Sequence, residues 1–141
     1  MLDWQKPDTW LILIIDDEPD NLELVTVYLQ YVGAVVKTAS NGLKGLETLS
    51  TFHPNLILLD LSMPKMDGWD VIARIREDTV HKDVVTIALT AHAMIGDKER
   101  VKAAGFDGYL AKPLNLPTFT IDLQNAVNAF ANPQESNHAA Q

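Results

Sequence analysis

The chain has 141 residues, which suits one domain built around one substantial core. Apolar residues make up 47% and charged residues 21%, the balance of a globular domain rather than a disordered chain. Cysteine is absent, which excludes disulfides and thiolate metal centres, and the net charge of -8 argues against a nucleic-acid backbone as a direct partner. No apolar run approaches the roughly 20 residues of a membrane span, and the N-terminus lacks the basic-then-apolar layout of a signal peptide. A cytoplasmic domain that avoids membranes is the expectation.

Residues 1–9 form a polar leader with Trp4 and Pro7, followed directly by Trp10. Tryptophans this close together are expected to cover a sheet edge rather than bind a ligand. Leu11 to Ile15, five apolar residues in a row, predicts a strand buried on both faces. It ends in Asp16-Asp17-Glu18. Pro19 then suits a first helical turn, and Leu22, Val25, Leu29 and Val32 recur at helical spacing until Gly33. A second strand is expected over Ala34 to Thr38. Ser40 or Asn41 caps the next helix, whose inward positions read as Leu43, Leu46 and Leu49. His53-Pro54 closes that segment.

The third strand, Leu56 to Leu59, leads into a single carboxylate, Asp60, and then a turn with Pro64, Asp67 and Gly68. A charge emerging from so apolar a run requires a partner. Gly68 to Glu77 predicts a helix with Val71, Ile72 and Ile75 inward. A fourth strand over Val84 to Leu89 ends at Thr90. A charged helix follows from about Ala93 to Ala104, carrying Asp97, Lys98, Glu99, Arg100 and Lys102. Asp107 to Leu110 reads as a fifth strand running into Lys112-Pro113. The last helix covers Leu116 to Ala131, with Leu116, Phe119, Leu123, Val127 and Phe130 on one face. Residues 132–141 read as a disordered tail and residues 10–131 as the folded domain.

Five β-then-α units in succession imply a parallel sheet with helices on both faces. The fold class expected is α/β, flavodoxin-like and doubly wound, with strand order 2-1-3-4-5 and five helices. Its switch point lies between strands one and three, which end in Asp16-Asp17 and in Asp60. Like charges about 4 Å apart cost on the order of 4 kcal/mol at an effective dielectric near 20. A hard divalent cation offsets that cost, and Mg²⁺ takes one or two carboxylates while sharing phosphate oxygens. The carbonyl of Ser62 can supply another oxygen. Lys112 and Thr90, at neighbouring strand ends, add an ammonium and a hydroxyl, a sufficient kit for accepting a phosphoryl group on Asp60. Glu18 and Asp20 read instead as solvated acids or helix caps. His53, His81 and His138 show no metal-ligand spacing and read as surface residues.

Taken together, Asp16-Asp17, Asp60 in "LILLDLSMPKMDG", Thr90-Ala91 in "IALTAHAM" and Lys112-Pro113 in "GYLAKPL" resemble the receiver domain of two-component response regulators. The likeness covers about Trp10 to Ala131, and five short signals in the right order are specific where one alone is weak. The resemblance implies a stand-alone phospho-acceptor switch, loaded at Asp60 from a phosphohistidine on a sensor histidine kinase or phosphotransfer protein. It implies Mg²⁺ (or Mn²⁺) held by Asp17, Asp60 and the Ser62 carbonyl, with Asp16 acting through water. It implies that Lys112 contacts the phosphoryl oxygens across a cis Lys112-Pro113 bond, and that Thr90 and Tyr109 move together. That motion would remodel the face of helix 4, strand 5 and helix 5, where a target protein binds. Ser62 and His92 occupy the positions that tune phosphoryl lifetime in the family. Catalysis would be limited to the domain's own phosphorylation and dephosphorylation. A phosphorelay intermediate or the receiver part of a hybrid histidine kinase is the nearest alternative. A small flavodoxin-like protein or metal-dependent phosphatase fits less well: the acids after strand one repel phosphate, and Ser62 stands where such a phosphatase carries a second acid.

Overall fold

Strands form where the apolar runs predict them, because only a sheet sandwiched between helices can bury both faces of such a run. The computed structural model describes residues 2–91 and 97–131. In chain order the elements are β1 (Leu11–Ile15), α1 (Pro19–Tyr31), β2 (Val35–Ala39), α2 (Gly42–Thr48), β3 (Leu56–Asp60) and α3 (Gly68–Glu77). They continue with β4 (Val85–Thr90), α4 (Asp97–Ala104), β5 (Gly108–Ala111) and α5 (Phe119–Ala131). All pairings are parallel, and the order is β2-β1-β3-β4-β5. The flavodoxin-like topology expected from the sequence is therefore the one observed.

Alternation along the strands divides the core in two. Ile12, Ile14, Leu56, Leu58, Ile87 and Leu89 point to one face and pack with Val25 and Leu29 of α1 and Phe119 and Leu123 of α5. Leu13, Ile15, Ile57, Leu59 and Ala88 point to the other, against Val71, Ile72 and Ile75 of α3 and Val101 of α4. Each fully buried aliphatic side chain of this kind contributes about 1.5–3 kcal/mol. β3 is buried at all five positions, so Asp60 is the one charge in a strand otherwise closed to solvent.

The leader belongs to this packing. Trp10 is fully buried, its indole N–H donates to the Asp3 carbonyl at 2.8 Å, and Trp4 meets it edge-on at 5.9 Å. Leu2 and Trp4 rest on the same apolar cluster as Ile12 and Phe119.

Three details depart from the sequence reading, which left the cap of α2 open between two residues. Leu43 is 58% exposed, whereas Gly42 and Gly45 face inward. A Cβ at Gly45 would collide with the Ile15 side chain, so α2 lies too close to β1 for a larger residue there. Asn41, rather than Ser40, caps that helix, accepting from the Lys44 N–H at 2.8 Å. Leu116 sits in a separate 3-10 turn (Leu116–Thr118), and α5 begins only at Phe119. His81 is buried at 4% exposure rather than lying on the surface. The expected start of the charged helix at Ala93, together with His92, His138 and the tail over 132–141, lies outside the described residues.

Candidate functional site

β1 and β3 are neighbours, paired from Ile12 with Leu56 to Ile15 with Leu59. Their carboxyl ends therefore deliver Asp16-Asp17 and Asp60 to the same rim. Asp16 is fully buried and Asp60 is 2% exposed. Asp16 is held in place at both ends: its N–H donates to the Ala39 carbonyl at 3.1 Å, and its Oδ1 accepts from the Glu18 N–H at 2.9 Å. Asp60 Oδ1 accepts from the Ser62 N–H at 3.1 Å. Asp60 Oδ2 accepts no hydrogen bond among the described residues.

β5 brings the counter-charge. The Lys112 N–H donates to the Thr90 carbonyl at 2.8 Å, and the Lys112-Pro113 bond is cis, as the resemblance implied. The Lys112 ammonium lies 2.9 Å from Asp16 Oδ2, 3.2 Å from Asp60 Oδ2 and 3.3 Å from Glu18 Oε1. Thr90, 7% exposed, ends β4 beside Ala111 of β5. Tyr109, one strand over and half-buried, lies with its ring 6.2 Å from that of Phe130.

Asp16, Asp17, Glu18 and Asp60 each offer a carboxylate oxygen, and these oxygens lie within 4.8 Å of one another. Among the described residues one ammonium faces four acids there, an excess of negative charge that a divalent cation would neutralise. Burial pushes the Asp60 carboxyl up to about 6, opposed by the Ser62 N–H, reinforced by the charge of Asp16 and opposed again by Lys112. For Lys112, burial alone would lower the pKa; the hydrogen bond it donates to Asp16 and the charges of Asp16 and Asp60 outweigh it and raise the pKa. Both shifts have one origin, a buried ion cluster with too few cations.

Glu18 is solvated, as the sequence reading has it, and makes a contact that reading did not give. It occupies the N-cap position of α1 but makes no side-chain capping bond. Although 63% exposed, its carboxylate reaches Lys112 and joins the acid cluster. Its adjacency to Asp16-Asp17 was the only available signal, and an exposed acid at a helix start gives the same signal. Thr90 ends β4, Lys112 directly follows β5 and Ser62 lies two residues past Asp60, all at the carboxyl rim, whereas Tyr109 lies within β5 beside Ala88.

A doubly wound parallel sheet that presents clustered acids and one lysine at its switch point defines the class of CheY-like receiver domains. Comparison carries this further: the family model for the response regulator receiver domain matches residues 12–124, and the chain belongs to that family. It is 32% identical over 108 residues to the polar-differentiation response regulator DivK of Brucella ovis, covering 77% of this chain and 88% of that protein. Its structure is similar to that of the Vibrio cholerae chemotaxis protein CheY4, with a TM-score of 0.78 and 29% identity over 83% of this chain and 98% of that one. It is also similar to the receiver domain of the sensor histidine kinase PA1611 of Pseudomonas aeruginosa, which holds a magnesium ion in its active-site cleft. There the TM-score is 0.74 and the identity 30%, over 84% of this chain and 98% of that one. Among the described residues no helix is long and apolar enough to cross a membrane.

Proposed function

We propose that the chain is a phospho-acceptor signalling switch acting in the cytoplasm, loaded from a phosphohistidine on a sensor kinase or phosphotransfer protein. The observation that carries this is Asp60 Oδ2: buried, ion-paired with the Lys112 ammonium at 3.2 Å, and accepting no well-formed hydrogen bond among the described residues. In the transfer Asp60 Oδ2 attacks phosphorus, the phosphorus–nitrogen bond breaks, and the donor imidazole leaves as the neutral base after taking a proton. Asp17, Asp60 and the Ser62 carbonyl would hold Mg²⁺ (or Mn²⁺), with Asp16 in support, and a cluster of carboxylate oxygens is the donor set that such a hard ion prefers. Bound there, the ion supplies charge neutralisation for the phosphoryl oxygens.

Lys112 pairs with a phosphoryl oxygen, and the Thr90 hydroxyl donates to another. Tyr109 follows Thr90, and the face of α4, β5 and α5 changes for a protein target. Ser62 and His92 set the lifetime of the acyl phosphate. No turnover of a second substrate is required. Incubation with acetyl phosphate and Mg²⁺ should add one phosphoryl group by intact mass, and Asp60→Asn or chelation should prevent it. Equal labelling of Asp60→Asn would refute the assignment.

A phosphorelay intermediate or receiver within a hybrid kinase is the second reading, favoured by the likeness to the PA1611 receiver. It shares this chemistry and differs in whether Asp60 passes its phosphoryl group on to a histidine phosphotransfer protein.

A further inference from the structure

β3 and β4 run parallel and start in register, Leu56 beside Val85. The segments just before them therefore meet at the amino edge of the sheet, the end opposite Asp60. One carries His53 and the other Asp78 and His81. His81 Nδ1 lies 2.9 Å from Asp78 Oδ2, and His81 Nε2 lies 3.0 Å from His53 Nδ1. The ring planes differ by 22° and the centroids are 5.2 Å apart. That separation is close to the nitrogen–nitrogen contact plus both ring radii, so the imidazoles meet nitrogen to nitrogen rather than face over face.

We propose that His53 and His81 form a second metal site, specific for a borderline divalent transition-metal ion such as Zn²⁺ and separate from the acidic pocket. The hydrogen bond from His81 holds the Asp78 carboxyl below the usual carboxylate range, so Asp78 is an anion that fixes the proton on His81 Nδ1. The lone pair of His81 Nε2 then points at His53. A carboxylate behind a buried imidazole is the support that metal-bound histidines use to fix their tautomer and raise their basicity. Two zinc–nitrogen bonds of about 2.0–2.1 Å meeting at a tetrahedral angle place their nitrogens roughly 3.3 Å apart. The observed nitrogens meet at 3.0 Å and nearly in line, so binding requires His53 to tilt as well as to open the gap by a few tenths of an ångström. His53 is exposed and free to give that distance, whereas His81 is fixed. On binding, the proton of His53 leaves Nδ1 and the solvent-facing Nε2 carries one instead, so each imidazole coordinates through one ring nitrogen, and water completes the shell. Imidazole nitrogens suit Zn²⁺ and disfavour Mg²⁺, which keeps the two sites distinct.

The alternative is a plain histidine–histidine hydrogen bond bracing two loops, and it predicts no response to metal. Zn²⁺ titration of the full chain in an Asp60→Asn background, which weakens the acidic pocket, separates the two. The expected result is a Zn²⁺-dependent shift of the His53 and His81 ring resonances and a raised unfolding temperature. Both should vanish in Asp60→Asn/His53→Ala, and Asp78→Asn should weaken binding by about tenfold or more. Unmoved ring resonances, or a Zn²⁺ response unchanged by His53→Ala, would overturn the proposal.

Discussion

The Lys112 ammonium lies 3.2 Å from Asp60 Oδ2, within ion-pair range, yet that oxygen accepts no well-formed hydrogen bond among the described residues. The better contact of Lys112 is with Asp16, at 2.9 Å. The lysine thus neutralises the pocket while leaving the Asp60 lone pairs available to an electrophile. Lys112→Ala should keep divalent-cation affinity at or above the wild-type level, because the carboxylates lose a competitor. Phosphorylation from acetyl phosphate should slow by about 10²-fold or more, as when one preorganised donor to a developing oxyanion is removed. Tyr109 ring resonances should no longer respond to phosphorylation. Wild-type transfer kinetics in the variant would contradict the role given to Lys112.

The Asp60 carboxyl, pushed up to about 6 by burial, sets a pH dependence. The folded state holds this proton more tightly than the unfolded chain does, so unfolding free energy falls as pH rises from about 4 to about 6. Above that range the penalty is complete. In chelator, Asp60→Asn should therefore stabilise the domain at neutral pH by on the order of 1–3 kcal/mol, read from urea midpoints. The gain should shrink toward pH 4, and Mg²⁺ affinity should fall as pH drops through about 6 and the proton competes. A gain independent of pH would place its origin elsewhere.

Gly68 fixes the loop that follows the acceptor. Its N–H donates to the Leu61 carbonyl at 3.0 Å, and a Cβ there would run into the Asp60 carbonyl oxygen and come within 2.8 Å of Leu61 Cα. Both neighbours are backbone and cannot rotate away. Gly68→Ala should cost about 1–3 kcal/mol and shift the Ser62 amide that bonds Asp60. Urea denaturation and the Ser62 amide resonance measure the two effects, and an unshifted resonance would show that the loop tolerates the methyl.

Most of this arrangement is visible in the sequence because two apolar runs, Leu11–Ile15 and Leu56–Leu59, end directly in acids. Parallel strands buried on both faces carry that signature, and it locates the carboxyl rim before any coordinates. Contacts across the fold are less visible. Gly42 and Gly45 face inward because α2 approaches Ile15 and Val71 closely, and no helical period of apolar residues reports such an approach. Leu43, read as inward from that period, is exposed for the same reason. His81 is buried by a partner 28 residues away in sequence, a spacing set by strand register rather than by any local motif. Trp10 illustrates the intermediate case: its apolar bulk announces burial, but only the fold shows Asp3 closing over its indole N–H.

Arg76 is another residue whose role emerges only in three dimensions. From α3 its Nε donates to the Gly105 carbonyl at 2.8 Å, and Nη1 donates to the Lys82 and Val84 carbonyls, each at 2.9 Å. Nη2 bonds Asp107 Oδ2 at 2.9 Å, an oxygen that also accepts from the Thr86 N–H at 2.9 Å. One guanidinium thus ties the ends of α3 and α4 to the starts of β4 and β5. The ion pair alone is worth little, since Asp107 is 41% exposed and solvent screens it. The larger share comes from three backbone carbonyls that lose a charged donor, so Arg76→Ala should destabilise by about 2–3 kcal/mol. Arg76→Lys should recover only a minor part, because an ammonium cannot reproduce the planar fork that serves four acceptors at once. Native-state hydrogen exchange should show faster opening at the Thr86 and Asp107 amides in both variants. Full rescue by lysine would show that charge, rather than the directed fork, holds these segments together.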